Sequence, residues 1–227
     1  MAIVNKCQTI AFKNFQILVR KRHIFSSFSA IFLRNYSCKM SKTACVFLAK
    51  GTEEMEFVIT ADVLRRAGIN VTVAGVPDNK PILCSRDITI IPDIGVEDVK
   101  SKGPYDVLVL PGGLGGSKAF AESKTVGCLL KEQEESGGII AAICAAPTAL
   151  KAHCIGVGKT LTSYPAMKND MEEGGMYRYK EDKVVVDGNL ITSRGPGTAF
   201  DFALNIVDKL LGRESAQKTA QPMLLDY

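Results

Sequence analysis

Residues 139–150 read Ile139-Ile140-Ala141-Ala142-Ile143-Cys144-Ala145-Ala146-Pro147-Thr148-Ala149-Leu150. The first half of this stretch is a continuous apolar run that follows two glycines, which predicts a short buried strand. Pro147 is favoured in the first turn of a helix and predicts a helix directly after the strand. Cys144 then lies at the turn between the two, at the carboxyl edge of a sheet, where a nucleophile elbow presents its side chain.

The surroundings of Cys144 favour a reactive thiol. Small neighbours such as Ala145 and Ala146 let a backbone or a substrate come close. The positive end of the following helix dipole favours the thiolate, which is the reactive form of cysteine. The alternative is a buried, inert cysteine, the common state of a free thiol in proteins. We interpret Cys144 as reactive because of its place between strand and helix.

The composition excludes several classes of protein. The chain has 227 residues, of which 46% are hydrophobic, enough for one domain with a substantial core. Its seven cysteines are scattered and show no C-x-x-C spacing. This pattern indicates free thiols in a reducing compartment, with neither a disulfide framework nor a metal site. No apolar run of about 18 residues is present, so we expect no membrane span.

The first 39 residues differ from the rest of the chain. They contain seven lysines and arginines and no acidic residue, the composition of an organelle transit peptide. Arg34-Asn35-Tyr36-Ser37 resembles a mitochondrial processing pattern with cleavage after Tyr36. We therefore predict that residues 1–39 form a basic N-terminal extension that targets the protein to mitochondria. The alternative is a dispensable extension, with a shorter product that starts at Met40 and resides in the cytoplasm and the nucleus.

Residues 40–227 are predicted to form a single domain. Seven of the 28 basic residues of the chain precede this domain, so the domain contains 21 basic residues and all 24 acidic ones. An excess of acidic residues does not indicate nucleic-acid binding. Strand-like and helix-like patterns alternate, which predicts an α/β fold with a mostly parallel sheet and helices on both faces. Ligands of such folds bind beyond the carboxyl ends of the strands. Strands are predicted at 43–48, 70–74, 105–110 and 139–143, hairpins within 82–91 and 184–192, and helices at 53–67, 126–135 and 198–211, the last long one.

Acidic residues follow the first predicted strand. For Glu53 and Glu54, the simplest interpretation is a favourable interaction with the dipole at the start of a helix. Glu56 lies one turn further, among apolar residues, where a desolvated carboxyl group tends to keep its proton. A protonated Glu56 can donate a hydrogen bond to a thiolate and can also shuttle a proton.

The glycine-rich stretch 112–116 follows another predicted strand. It matches neither the phosphate-binding loop nor the dinucleotide-binding pattern. Its backbone can bring the N–H of Gly113 close to Cys144, where it would form an oxyanion hole together with the N–H of Ala145. The alternative is a tight turn between a strand and a helix, with no role in chemistry.

A histidine base for Cys144 is missing from the predicted domain. His153 is its one histidine and lies at the far end of the helix that follows Cys144. A helix rises ~1.5 Å per residue, which places His153 roughly 10 Å or more from the sulfur. We interpret it as a helix C-terminal residue, and a peptidase or glutamine amidohydrolase function is therefore disfavoured.

Six blocks of sequence, taken in order from about Met40 to the C-terminus, resemble the parkinsonism-associated deglycase family. This family is often called "DJ-one" and belongs to the superfamily of class I glutamine amidotransferases. The blocks are Gly51-Thr52-Glu53-Glu54-Met55-Glu56, Val63-Leu64-Arg65-Arg66-Ala67-Gly68-Ile69, Cys84-Ser85-Arg86-Asp87, Leu110-Pro111-Gly112-Gly113, Ala141-Ala142-Ile143-Cys144-Ala145 and Thr192-Ser193-Arg194-Gly195-Pro196-Gly197-Thr198.

The resemblance implies a flavodoxin-like three-layer sandwich that forms a homodimer. It implies that Cys144 is a nucleophile that peroxide oxidises to a sulfinate, with protonated Glu56 as its partner. Arg66 and Arg86 match arginines near the family's anion site, although either could equally be a surface ion-pair residue. Cys84 matches a second modifiable cysteine. The sequence departs from the family at Tyr164, where relatives often carry a histidine.

The resemblance also implies a function in protection against oxidative stress. The first hypothesis is a cofactor-independent glyoxalase and protein deglycase that acts on methylglyoxal and its adducts. The second is a redox sensor and redox-regulated chaperone whose cysteine is oxidised to sulfinate without physiological turnover. The expected partners are a small aldehyde or a glycated protein and a second copy of the chain, besides other proteins; no cofactor is expected.

Overall fold

A computed structural model describes residues 41–227. Its main strands are β1 (Thr43–Ala49), β2 (Asn70–Val76), β5 (Ile94–Gly95), β6 (Val107–Leu110), β7 (Ile139–Ile143), β10 (Val184–Asp187) and β11 (Leu190–Ser193). Two small pairs lie outside the main sheet, β3 (Ile82–Leu83) with β4 (Thr89–Ile90), and β8 (Thr160–Leu161) with β9 (Arg178–Tyr179). The transit-peptide prediction for 1–39 lies outside the described residues.

The helices alternate with these strands. They are α1 (Glu54–Arg66), α2 (Val99–Lys102), α3 (Leu114–Glu122), α4 (Lys124–Glu135), α5 (Pro147–Ala152), α6 (Lys168–Glu172), α7 (Ala199–Leu211) and α8 (Arg213–Ala220). Short 3₁₀ turns span Val96–Asp98, Pro165–Met167, Glu173–Gly175, Pro196–Thr198 and Gln221–Met223. Within residues 41–227, no helix is both long enough and apolar enough to cross a membrane.

The seven main strands form one sheet in the order β10-β11-β7-β6-β1-β2-β5. Every neighbouring pair is parallel except β10 with β11, which form an antiparallel hairpin. Sequential parallel strands need helical crossovers, and these helices cover both faces of the sheet. The predicted α/β fold, a flavodoxin-like three-layer sandwich with a mostly parallel sheet, is confirmed.

Strand β1 shows why both faces are covered. Its side chains alternate, as the pleat of a strand requires. Val46 and Leu48 lie in a core that includes Phe202 of α7, whereas Phe47 lies in a second core with Phe120 of α3. Because all of them are buried, the strand reads in sequence as one apolar run instead of an alternating pattern.

Four helices, α2, α3, α6 and α8, were not predicted from the sequence. Helix α3 begins at Leu114, inside the stretch interpreted as a glycine loop, because tertiary packing overrides the low helix propensity of glycine. A Cβ atom on Gly115 would lie 2.8 Å from the Lys50 carbonyl oxygen, so only glycine lets this helix approach β1 so closely. Helix α8 follows α7 directly and is mostly polar, which hid its short buried stripe of Ala216, Thr219 and Ala220.

Candidate active site

Cys144 lies directly after β7 with φ of +64°, a left-handed conformation that is strained for a residue with a side chain. Hydrogen bonds on both sides hold its backbone in place. The Cys144 N–H donates to the Ser193 carbonyl at 3.0 Å, and the Cys144 carbonyl accepts from the Tyr164 N–H at 2.7 Å. The thiol is thereby presented at the carboxyl edge of the sheet, and the predicted nucleophile elbow is confirmed.

Glu56 lies in the first turn of α1 and is fully buried. Its Oε2 atom accepts a hydrogen bond from the Gly112 N–H at 2.7 Å. Its Oε1 atom accepts none from the described part of the protein, and the carboxyl group faces the Cys144 thiol. A Cβ atom on Gly112 would lie 2.5 Å from Cβ of Cys144 and 2.7 Å from Glu56 Oε2. Glycine at this position therefore lets the carboxyl group and the thiol meet.

The two acidic groups change each other's ionisation. Burial raises the pKa of the Glu56 carboxyl to about 7, against the lowering effects of the Cys144 thiol and the Gly112 N–H. Burial, followed by the negative charge of Glu56, raises the pKa of the Cys144 thiol to about 12. The predicted effect of the helix dipole therefore acts against a strong opposing effect of burial and of the Glu56 charge. The thiolate is favoured only when the neighbouring carboxyl group carries a proton.

The N–H groups of Gly113 and Ala145 face the sulfur and act against this increase in its pKa. Gly113 directly precedes α3 and has φ of +84°. A Cβ atom on it would lie 2.3 Å from the Gly51 carbonyl oxygen. The turn after β6 is thus a tight strand-to-helix connection, and it also brings a donor to the thiol. The structure places both predicted oxyanion-hole donors at Cys144.

A cavity of about 510 Å³ opens above Cys144. Strand β7 lies between β11 and β6, so the cavity has walls from both sides of the sheet. It is lined by Gly51, Glu53, Ser85, Arg86, Gly113, Leu114, Gly115, Cys144, Ala145, Tyr164, Ala166, Met167 and Pro196. The structure therefore brings Arg86 and Tyr164 to the same cavity as Cys144.

Glu54 has a role that the sequence did not indicate. It is buried, and it accepts hydrogen bonds from the Ser85 hydroxyl and the Arg86 N–H, both at 2.8 Å. Burial opposes its ionisation, but these and other backbone hydrogen bonds outweigh burial and lower its pKa. Glu53 also accepts from the Ser85 hydroxyl. These hydrogen bonds hold the loop that carries Arg86 against the start of α1. Partners so far apart in sequence cannot be recognised from a local sequence pattern.

Cys84 belongs to the same loop and is buried. Burial raises the pKa of its thiol to about 11, with additional contributions from the charges of Glu54 and Glu53. Thiolate character controls the reactivity of a cysteine, so this environment disfavours reaction at Cys84. Its predicted role as a secondary redox cysteine gains no support from the geometry.

Arg66 and His153 lie away from the cavity. The Arg66 guanidinium pairs with Asp62 at 2.5 Å and lines a separate groove beside α8, in line with the alternative of a surface ion pair. His153 follows α5, and its Nε2 atom is 2.9 Å from the Phe120 carbonyl oxygen, as expected for a residue without a base function. Across residues 41–227, no group of three or more potential ligand side chains could hold a metal ion.

Comparison with known proteins places these features in a family. The sequence model of the DJ-1/PfpI family matches residues 42–209. The chain is 58% identical over 189 residues to Drosophila melanogaster "Protein dj-1beta", covering 83% of this chain and 100% of that one. It is 54% identical over 184 residues to the zebrafish "Parkinson disease protein 7 homolog", covering 81% and 97%. A Caenorhabditis elegans relative named "Glutathione-independent glyoxalase DJR-1.2" is 45% identical over 185 residues, with coverage of 81% and 97%.

Solved structures agree with the sequence matches. The crystal structure of Drosophila melanogaster DJ-1beta superposes with a TM-score of 0.80 at 58% identity, covering 83% of this chain and 100% of that one. A structure described as "Toxoplasma gondii DJ-1, oxidized" gives 0.76 at 33% identity, with coverage of 82% and 100%. The resemblance found in the six sequence blocks is confirmed. The chain belongs to the DJ-1/PfpI family.

Proposed function

We propose that this protein protects cells against reactive aldehydes as a cofactor-independent glyoxalase and protein deglycase. The observation that carries the proposal is the contact between a strained thiol that lines a cavity and a buried carboxyl group whose pKa is raised to about 7. The name of the C. elegans relative, a glutathione-independent glyoxalase, supports the same chemistry.

The contacts at the site favour one arrangement of charge. Above pH 7 the pair of Glu56 and Cys144 has lost one proton and keeps the other. Two N–H groups face the sulfur, whereas Oε1 of Glu56 has no donor among the described residues. A buried charged oxygen without a donor is unfavourable. The remaining proton therefore belongs on Oε1, where it can be donated to the Cys144 thiolate.

The reaction with methylglyoxal follows from this arrangement. The thiolate forms a bond to the aldehyde carbon, and the aldehyde oxygen takes the proton of Glu56 while the N–H groups of Gly113 and Ala145 stabilise its developing charge. The Glu56 carboxylate then removes the hydrogen of that carbon, which gives an enediolate. A proton moves between the two neighbouring oxygens, and Glu56 returns its proton to the second carbon, which gives a lactoyl thioester. Water hydrolyses the thioester to lactate and restores the thiol.

Early aldehyde adducts of proteins carry the same reactive carbon. Attack by the Cys144 thiolate on this carbon would break its bond to the modified amine or thiol, which leaves with the proton of Glu56. The product is the hemithioacetal described above, so one site can serve both glyoxalase and deglycase reactions. The cavity opens to solvent through exposed residues such as Leu114 and Arg86, which gives a side chain of another protein access.

The test is formation of lactate from methylglyoxal in an amine-free buffer. We expect the full chain to form lactate without added cofactor, and Cys144→Ser and Glu56→Gln to form none above background. Cys128→Ser removes an exposed thiol outside the cavity and should retain activity. If the unmodified protein forms no lactate, or if Cys144→Ser forms as much, the proposed function is wrong.

A redox-sensing function is the second candidate, and it rests on the same contacts. Oxidation of Cys144 to a sulfinate would place its oxygens near the N–H groups of Gly113 and Ala145 and near Glu56. In this case oxidation would alter chaperone activity or partner binding instead of turnover. Mass spectrometry after mild peroxide treatment should show sulfinate at Cys144. Sulfinate at Cys144, with no lactate from methylglyoxal, would favour this candidate.

A homodimer is proposed from an apolar surface at the start of α1. Met55 and Val58 lie on one face of α1 and are 54% and 49% exposed, and Ile88 and Ile91 beside the β3–β4 pair are 53% and 70% exposed. Exposed apolar side chains commonly lie at interfaces, and a twofold axis would bring the same residues of two copies together. Light scattering should give twice the chain mass, and Met55→Asp should shift it towards the monomer.

The two localisation alternatives remain proposals. We propose that the full chain enters mitochondria through residues 1–39, and that a product starting at Met40 resides in the cytoplasm and the nucleus. N-terminal sequencing of the protein from isolated mitochondria tests the first statement. A new terminus at Ser37 would support it, and an intact Met1 would contradict cleavage.

A further inference from the structure

The cavity above Cys144 has two chemically different walls. On the side of β1, the lining is glycine backbone and polar side chains, Glu53, Ser85 and Arg86. On the side of β11, the lining is apolar and aromatic, namely Tyr164, Ala166, Met167 and Pro196. We call these four residues the apolar wall. A molecule bound at the thiol would contact both surfaces.

Tyr164 has a fixed position in the apolar wall because its backbone is hydrogen-bonded to that of Cys144. Its N–H donates to the carbonyl of Cys144 at 2.7 Å, and its own carbonyl accepts from the N–H of Met167 at 2.8 Å. A Cβ atom on Gly195 would lie 3.7 Å from Cδ2 of Tyr164, so one edge of the ring lies close to this glycine. Tyr164 is 44% exposed, which leaves part of its surface free for contact with a ligand.

The size of the cavity indicates a larger occupant than methylglyoxal. A volume of about 510 Å³ falls in the range of about 300–1,000 Å³ that is typical of sites for drug-sized ligands. The dicarbonyl end of a substrate fills only the part near the thiol and the N–H groups of Gly113 and Ala145. The substituent on the ketone carbon would extend from there towards the apolar wall.

We propose that Tyr164 is a specificity-determining residue that selects α-oxoaldehydes with a flat, apolar substituent of about the size of a phenyl ring. This inference rests on the proposed glyoxalase function. The substituent stacks on Tyr164, because aromatic rings favour offset or edge contacts with one another, and it packs against Met167 in the same wall. The covalent chemistry is unchanged: phenylglyoxal and water give mandelate through the same thioester, with no external oxidant.

The test compares phenylglyoxal with methylglyoxal in the full chain. Phenylglyoxal also modifies arginine, so turnover is measured only as mandelate formed. We expect kcat/KM for phenylglyoxal to exceed that for methylglyoxal by about tenfold, the discrimination that a modest gain in apolar contact provides. Tyr164→Ala should reduce this ratio to about one, and Tyr164→Phe should preserve it, because the ring and not the hydroxyl makes the contact. Phe200→Ala removes an exposed ring outside the cavity and should leave the ratio unchanged.

A second measurement separates this proposal from the proposed function. Mandelate and lactate are compared as protectants of Cys144 against alkylation by iodoacetamide, which requires no turnover. Stronger protection by mandelate, lost in Tyr164→Ala and kept in Tyr164→Phe, supports the apolar wall even if neither aldehyde is converted. Equal protection by both acids, or an equal kcat/KM ratio in Tyr164→Ala and in the unmodified protein, overturns the proposal while lactate formation stands on its own.

Discussion

The carboxyl group of Glu56 meets the thiol of Cys144 across Gly112, whose missing side chain makes room for both. Glu56 comes from the first turn of α1 and Cys144 from the turn after β7, two segments far apart in sequence. Parallel strands bring both turns to the carboxyl edge of one sheet. Glu56 and Cys144 together determine the ionisation of the site, and the backbone on either side holds them in contact.

The pH dependence of activity should reflect the ionisation of the Glu56 carboxyl group. Its pKa is raised to about 7, so kcat/KM of the unmodified protein should rise as pH passes through 7 and the pair loses its first proton. Glu56→Gln should lower kcat/KM at pH 7 by about 100-fold or more, the usual contribution of acid–base catalysis, and any residual turnover measured at high enzyme concentration should lack this limb. Glu122→Gln, an exposed glutamate of α3, serves as the control. An unchanged limb in Glu56→Gln would show that another group titrates.

The close approach at Gly112 should not tolerate a methyl group. In Gly112→Ala the new Cβ atom would clash with Cβ of Cys144 and with Glu56 Oε2, which separates the carboxyl group from the thiol. We expect a loss of about 1–3 kcal/mol in the free energy of unfolding and a nearly complete loss of lactate formation. Gly197→Ala is the matched control, because nothing lies within 4 Å of its Cβ position. Wild-type activity in Gly112→Ala would contradict the role of this contact.

The sequence predicted the parts of the fold that local patterns determine. Strands β1 and β7 are apolar runs bounded by breakers, and α1 ends before Gly68, so their positions follow from periodicity and propensity. Helix α3 could not be predicted in this way. Glycine is required at 115 and 116 because these residues lie against Gly51 and Thr52, which belong to a different segment of the chain.

The candidate site shows the same division. The placement of Cys144 could be predicted from the strand-to-helix transition in the sequence. The raised pKa of Glu56 could be predicted because its carboxyl group lies within an apolar stretch. The function of Glu54 depends on Ser85 and Arg86, some thirty residues away, which no local pattern reveals. The raised pKa of Cys144 likewise depends on its burial and on Glu56, both of which require the folded chain.

Backbone strain at Cys144 should be measurable as stability. A left-handed conformation costs a residue with a side chain about 1–2 kcal/mol, and glycine avoids this cost. Cys144→Gly should therefore be more stable than Cys144→Ala by about 1 kcal/mol, although both variants are inactive. Urea unfolding of the two proteins at the same pH gives the difference. Equal midpoints would mean that the strain is relieved when the thiol is removed.

Two neighbouring glutamates should affect stability with opposite dependence on pH. The pKa of Glu56 in the folded protein is raised from 4.5 to about 7, so its stabilising contribution is complete below pH 4.5 and is lost as pH rises through 7. Since glutamine resembles the protonated acid, Glu56→Gln should match the unmodified protein at pH 4.5 and exceed its stability at pH 8 by up to about 3 kcal/mol. The pKa of Glu54 is lowered instead, so its contribution is present above its unfolded-state pKa and is lost on acidification.

Glu54→Gln should accordingly be less stable than the unmodified protein at pH 8, by about 1–3 kcal/mol, because Ser85 and the Arg86 N–H lose a charged acceptor. This deficit should narrow as pH falls through the acidic range, whereas the advantage of Glu56→Gln should disappear over the interval from pH 7 to 4.5. Urea unfolding of the three proteins across this range provides the measurement. Parallel stability curves for Glu56→Gln and the unmodified protein would show that Glu56 ionises normally in the folded state, which would remove the basis for its role as the proton donor to Cys144.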